Sequence, residues 1–365
     1  MAAEAPRVLL ACEWFVKYTV GLAAGLAANG SPVLLLTRDH DLEFGDEPGA
    51  MRAFVRAELG PEVPHLMLGG RVRDPRHLPE LRRLRRQVAA WRPGVVHVQD
   101  SLTHDVRLAL AGGWPWRHYA LTVHDPVPHP GDLPPSRLAQ ARRRYLRRHA
   151  DLLFAHSQGM AAELRRLGDA RGAVEVVPHG LTPVPPAPLP PSPSLLFFGR
   201  ITPYKGLDIL LEAMPAVWER CPEVTLTVAG AGGLPERPAL HDPRVVLRQG
   251  YVPDSALPGL FGAASVVVLP YRQASQSGVG AEAKRYGRPA IVSDVGGLPE
   301  LVDDSCGRLV PPEDPAALAT AIVEVVETPG LLPRLAAGAV ASAAEESWES
   351  VGAKTLAAYR RFLLG

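Results

Sequence analysis

Arg200 and Lys205 stand five residues apart in the run LLFFGRITPYKGLD, residues 195–208. The apolar stretch ending at Phe198 reads as a strand, Gly199 permits a tight turn, and a helical pattern begins at Leu207. Such a junction offers free backbone N–H groups and the positive end of a helix dipole to an anion. An arginine suited to paired contacts and a lysine acting as a point charge extend that offer to two phosphates. The alternative is a surface loop with incidental basic residues. A second stretch, YRQASQSGVGAEAKRYGRP (residues 271–289), follows another apolar strand. Ser277, Gly278 and Val279 would form its strand-to-helix turn, with Gly278 leaving room for a diphosphate. Glu282 lies four residues after Gly278, hence on the same helix face. A carboxylate there can accept two hydrogen bonds from a ribose diol; alternatively, it faces the helix dipole. Gly250-Tyr251-Val252 ends a third strand and can bracket a nucleobase, although a turn into an Asp254-capped helix reads the same way. The glycine-rich strand end at residues 229–233 equally suits plain packing.

The first half offers His124, at the carboxyl end of the apolar run 119–123 and before Asp125-Pro126. There it can hydrogen-bond a sugar hydroxyl and orient it, or it can be structural. His97, in VVHVQD, is expected half buried beside an acceptor. Trp14, Phe15, Lys17 and Tyr18 follow the first strand and would line the mouth of a cleft, or else pack as an aromatic lid on their own domain. His179 is read as a turn residue at the domain boundary.

These residues need two scaffolds. With 365 residues the chain exceeds one ordinary domain, and 47% hydrophobic with 21% charged residues suffices for two cores. Half of residues 181–194 are proline, which excludes helix and central strand and marks an extended connector and hinge. Before residue 181, 24 Lys+Arg stand against 19 Asp+Glu; afterwards 15 stand against 19. The near-balance, net +1 overall, argues against nucleic acid as a partner. Three well-separated cysteines suggest neither a disulfide framework nor a zinc site. No apolar run reaches membrane-span length and no secretory signal is evident, so a cytoplasmic protein is expected.

Short apolar runs alternate with helical patterns through both halves. Near-continuous apolar runs such as VVHV and SVVVLP suit parallel strands covered on both faces. The expected fold is α/β: two facing Rossmann-like, doubly wound parallel sheets with an active-site cleft between them. Its parts are an acceptor-side domain (1–181), a linker (182–194), a donor-binding domain (195–345) and a C-terminal helix (346–365) returning to the first domain. A helix is also read from Glu300 onward and another over 102–111. Arginine clusters at 82–86 and 142–148 read as a solvated surface, or as a basic face for anionic lipid or an acidic acceptor.

The second half resembles the donor-binding domain of the GT-B glycosyltransferases, specifically the retaining family four. GRITPYKGLD (199–208), VAGAG (228–232), GYV (250–252), SGVGAEAKRYGRPAIVSDVGGLPELV (277–302) and GRLVPPEDPAAL (307–318) carry the resemblance. The first half is similar more loosely, through PGVVHVQD (93–100), LTVHD (121–125), AHSQ (155–158) and VVPHGL (176–181). By that resemblance Arg200 and Lys205 hold the donor diphosphate and replace a divalent cation, and Glu282 takes the ribose hydroxyls. The backbone at Ser277–Val279 faces the β-phosphate and the transferred sugar, and His124 orients that sugar. The implied reaction is retaining, metal-independent transfer of a hexosyl group from a UDP- or GDP-sugar to a hydroxyl of a saccharide, lipid-linked sugar or small metabolite. No cofactor beyond this co-substrate is implied. One departure is Ala274, where the family commonly has the first of two glutamates; Ser275 or Gln276 would supply polar contacts instead. A GT-B epimerase, a sugar phosphorylase and a non-catalytic nucleotide-sugar binding module are the competing readings.

Overall fold

A computed structural model describes residues 5–39, 43–44, 48–69, 78–99, 118–127, 136–182, 184–274 and 277–363. The chain divides into two compact units, the changes falling at Gly180/Leu181 and Glu346/Ser347. Unit 1 runs β1 (Val8–Cys12), α1 (Val16–Ala28), β2 (Val33–Arg38), α2 (Ala50–Leu59), β3 (His65–Leu68), α3 (Leu78–Trp91), β4 (Val95–Gln99), β5 (His118–Thr122), α4 (Arg137–His149), β6 (Leu152–Ala155), α5 (Gln158–Leu167) and β7 (Ala173–Val176). Unit 2 contains β8 (Ser194–Phe198), α6 (Leu207–Arg220), β9 (Thr225–Gly230), β10 (Val245–Gln249), α7 (Leu257–Gly262), β11 (Val266–Leu269), α8 (Gly278–Arg285), β12 (Ala290–Ser293), β13 (Gly307–Val310), α9 (Pro315–Glu327) and α10 (Leu331–Glu345). The last helix, α11 (Trp348–Phe362), belongs to unit 1.

Every strand pair is parallel, in the orders β3-β2-β1-β4-β5-β6-β7 and β10-β9-β8-β11-β12-β13. Each order reverses beside its first strand, the topology of a Rossmann-like sheet. The two-residue period of a strand explains why both faces need cover. In β1, Val8, Leu10 and Cys12 pack with α1, α2 and α11, while Leu9 and Ala11 face the layer of α3 and α5. In β8, Leu195 and Phe197 meet α6 and α9, and Leu196 meets α7 and α8.

Two sequence expectations change. The proline-rich segment is fastened to unit 2: buried Arg288 donates from Nε to the Phe261 carbonyl and from Nη2 to those of Ala187 and Pro188, and Arg285 donates to Thr182. No helix starts at Glu300. A 3₁₀ turn (Leu298–Leu301) ends where Asp303 accepts from the Ser305 backbone and hydroxyl, an Asx turn that competes with helix. The helix read over 102–111 lies outside the described residues. The sequence reading also omitted α2 and β3, an edge strand of half-buried residues without β-branching.

Small residues seat α11 on α1. A Cβ on Gly25 would fall 1.9 Å from the Trp348 carbonyl oxygen, and one on Gly352 would fall 2.3 Å from that of Gly25. The Trp348 ring lies against Gly21 and Gly180, where a Cβ would come within 2.1 and 2.2 Å.

Candidate functional site

In unit 2 the predicted residues follow the carboxyl ends of β8, β10 and β11. Gly199 follows β8 with φ of 111°, a conformation that favours glycine. Its missing side chain leaves a space where a Cβ would meet Lys205 Nζ at 2.9 Å and Val279 Cγ2 at 3.4 Å. Lys205 closes a 3₁₀ turn (Pro203–Lys205), followed by Gly206 at φ 69°, where a Cβ would meet the Pro270 carbonyl oxygen at 1.9 Å. Glycine is therefore required there for the turn to lie against the end of β11. Arg200 is exposed.

Lys205 is 8% exposed. Its Nζ donates to the Tyr271 hydroxyl at 2.9 Å and lies 4.7 Å from that ring's centroid. No carboxylate among the described residues pairs with it. Burial, with Arg200 adding repulsion, lowers the ammonium's pKa, while Tyr204 opposes the shift. Tyr271 is itself buried, its phenol pushed up to about 12. Its oxygen lies 3.4 Å from Ser277 Oγ, which caps α8 by accepting from the Gly280 N–H. Lys205 is thus tied through one phenol to the cap of the helix that bears Val279 and Glu282. Arg272 adds a brace that the sequence reading missed. It reaches both oxygens of Asp208 at 2.9 Å, Glu313 at 2.9 Å and the Pro203 carbonyl at 2.7 Å. It therefore pins both flanks of the Lys205 turn.

Glu282 is half buried and paired with Arg285 at 3.3 Å. No neighbouring atom lies within 4 Å of where a Cβ on Gly278 would sit. The Gly250 N–H bonds the Gly230 carbonyl, Tyr251 is 78% exposed, and Val252 leans on the core. Ala274 packs against the same core and accepts from the Gly297 N–H. Ser275 and Gln276 lie outside the described residues.

In unit 1 the predicted side chains separate into two groups. Phe15, Tyr18 and His124 meet: Phe15 stacks on the imidazole at 3.7 Å between centroids, and Tyr18 approaches edge-on at 4.9 Å. Phe15 holds φ at 63°, an uncommon conformation for a bulky side chain. Trp14 is exposed, and Lys17 places Nζ 5.3 Å from the Phe44 ring centroid. Glu43 occupies the start of α1, accepting from the backbone N–H groups of Val16 and Lys17.

Two histidines differ from expectation. His97 is fully buried, not half buried: Tyr359 of α11 lies 2.6 Å from Nδ1 and Thr122 lies 2.7 Å from Nε2. Desolvation lowers its pKa to about 3, and with both nitrogens engaged it presents none to a ligand. His124, expected over a cleft, is 1% exposed; its Nε2 lies 2.7 Å from Gln99 Oε1 and its Nδ1 3.3 Å from His156 Nε2. Burial, then repulsion from His156, holds its pKa well below the ordinary value. His179 turns its Nδ1 onto the Gly180 carbonyl at 2.9 Å. Arg147, read as part of a basic surface, is instead buried and donates to the carbonyls of Asp125 and Pro126. Among the described residues no helix is long and apolar enough to cross a membrane, and no group of three or more His, Cys, Asp or Glu residues fits a metal ion.

Residues 192–328 match the family model "Glycosyl transferases group 1", and residues 16–180 match "Glycosyl transferase 4-like domain". A D-inositol 3-phosphate glycosyltransferase of Nocardioides sp. is 30% identical, with 94% of this chain and 84% of that protein aligned. Three others of that description, 32–36% identical, are spanned over only 39–64% of their length. Among solved structures, sucrose-phosphate synthase from Thermosynechococcus elongatus has a TM-score of 0.69 at 21% identity, covering 98% of this chain and 99% of that one. Anabaena Alr3699/HepE in complex with UDP has a TM-score of 0.66 at 17% identity, covering 96% and 100%. The neighbours share the GT-B fold, and the matched models place the chain in the group 1 glycosyltransferases, family 4.

Proposed function

We propose that the chain transfers a hexosyl group, with retention and without a metal ion, from a UDP- or GDP-sugar to a hydroxyl acceptor. One observation carries this reading: a buried ammonium, Lys205, with no carboxylate partner among the described residues, beside exposed Arg200. A buried cation without a counter-charge is costly, and a bound diphosphate would provide that charge. Arg200 and Lys205 then stabilise the charge that grows on the departing nucleoside diphosphate, the role a divalent cation plays elsewhere. The donor's C1–oxygen bond to the diphosphate breaks while the acceptor oxygen bonds C1 on the same face. The acceptor's proton passes to a diphosphate oxygen. Among the described side chains of this site none is placed as a covalent nucleophile.

The UDP bound to the Anabaena protein supports UDP as donor nucleotide, and the relatives' description supports a polyhydroxylated acceptor of inositol phosphate type. His124 would orient the transferred sugar. The direct test is hydrolysis of UDP-glucose and GDP-mannose followed by anomeric analysis, with and without EDTA. Release of the α-sugar at an unchanged rate in EDTA is expected. Loss of turnover in EDTA with recovery in manganese would sink the metal-free mechanism, and β-sugar release would sink retention.

Glu282 would accept both ribose hydroxyls, with Arg285 steadying the carboxylate from one side. Hydrogen bonds to a charged group contribute about 1.5–3 kcal/mol. Glu282→Ala should therefore weaken UDP binding about 10- to 100-fold by calorimetry. Wild-type affinity in the variant would remove the role.

A further inference from the structure

Gln99 of the PGVVHVQD stretch and His156 of AHSQ bracket His124. Three contacts form a chain: Gln99 Oε1 to His124 Nε2 at 2.7 Å, His124 Nδ1 to His156 Nε2 at 3.3 Å, and His156 Nδ1 to the Val177 carbonyl at 3.2 Å. His124 and His156 are buried, 1% and 7% exposed, and both rings are held neutral. Each neutral ring carries one N–H and one lone pair.

The Val177 oxygen can only accept, so it decides the arrangement. It requires His156 to carry its proton on Nδ1, which leaves a bare lone pair on His156 Nε2. That lone pair requires His124 Nδ1 to carry a proton in turn, which leaves His124 Nε2 bare. Each of the three other neutral arrangements sets two lone pairs, or two N–H groups, against each other in a buried place, the costly outcome. The remaining partner, Gln99, must then donate. Its Nε2 is buried with no partner among the described residues, and turning the amide over brings it onto His124.

We infer that His156, anchored on the Val177 carbonyl, is a positioning residue that fixes the tautomer of His124, with Gln99 donating at the other end. This deepens the proposed function, since it rests on His124 orienting the sugar. The single lone pair at His124 Nε2 is then taken by Gln99, and a sugar hydroxyl reaches it by displacing that amide. A sugar hydroxyl engaging it does so as donor, and the ring has no proton there to give to a leaving oxygen.

The test uses full-length protein with ¹⁵N-labelled histidine, read by long-range ¹H–¹⁵N spectra and by UDP-glucose hydrolysis. In the wild type both rings should show protonated Nδ1 and unprotonated Nε2. His156→Phe removes the acceptor, so His124 should become a mixture with protonated Nε2, while His156→Gln, which keeps an acceptor, should restore the wild-type pattern. The Phe variant should lose about 10- to 100-fold in kcat, with KM little changed, by analogy with the loss of an outer partner that orients a metal-binding imidazole. A wild-type His124 with protonated Nε2, or an unaltered His124 tautomer in the Phe variant, would overturn the inference. Wild-type turnover by His124→Ala would instead overturn the sugar-orienting reading, and the spectra read the tautomer independently of that result.

Discussion

Lys205→Met should abolish most nucleotide-sugar turnover without lowering thermal stability. The methionine keeps most of the buried volume and removes an ammonium whose one hydrogen bond among the described residues is to the Tyr271 hydroxyl. Replacing a buried charge by an apolar group of similar shape is often neutral or stabilising. Removing a group aimed at developing transition-state charge costs about 10²–10³ in kcat. The melting temperature should therefore hold or rise while hydrolysis of the donor falls by that factor. A fall in both together would mean that Lys205 serves the fold. Proton linkage gives a second reading. The pKa of Lys205 lies below its ordinary value in the free protein because of burial, and a diphosphate would raise it again. UDP binding should take up a proton between the lowered and the restored values, on the alkaline side. Calorimetry in buffers of different ionisation enthalpy measures that uptake in wild type, and Lys205→Met should abolish it. Stability has the matching sign: the unfolded chain holds this proton more tightly, so stability gains from this residue as pH rises through the lowered value.

Gly230→Ala should damage both the fold of unit 2 and its anion site. Gly230 sits at φ 143°, where an L-residue is strained, and a Cβ there would fall 1.8 Å from the carbonyl oxygen of Gly199. That oxygen belongs to backbone, so relief requires β8 and β9 to part at the residues that present Arg200. Strain at such a position costs about 1–3 kcal/mol and overpacking a similar amount. Together they correspond to a drop of roughly 5–15 °C in the melting of this unit. UDP affinity should fall alongside. Gly233→Ala is the control, because nothing lies within 4 Å of its added carbon. Equal melting of the two variants would show that the strand ends accommodate the methyl group and that the close approach is not needed.

The scaffold of unit 2 was readable because parallel strands buried on both faces leave near-continuous apolar runs, as at Leu195–Phe198 and Val266–Leu269. The cationic turn was readable for a local reason: glycine, arginine and lysine stand within seven residues of each other. Partners distant in sequence were not. Tyr271 lies within a stretch already singled out, but its bond to Lys205 joins residues 66 apart. The Arg272–Asp208 brace spans 64. His97 and His124 follow the same logic. The local sequence sets His124 at a strand end and suggests half burial for His97, whereas Phe15, Gln99 and Tyr359, each from another part of the chain, determine full burial. The helix α10 escaped notice because its alanine-rich pattern carries a weak apolar face.

The packing of α11 on α1 also governs the order in which the protein takes shape during synthesis. Gly25 and Gly352 touch across 327 positions of chain, and Tyr359 bonds His97 across 262. A nascent first unit therefore lacks one wall of its interior until α11 leaves the ribosome. The whole Leu181–Glu346 unit emerges in the meantime, about 10–30 s at ordinary elongation rates. Through that interval the apolar flank of α1 has no mate, so the unit translated earlier is the one that finishes folding later.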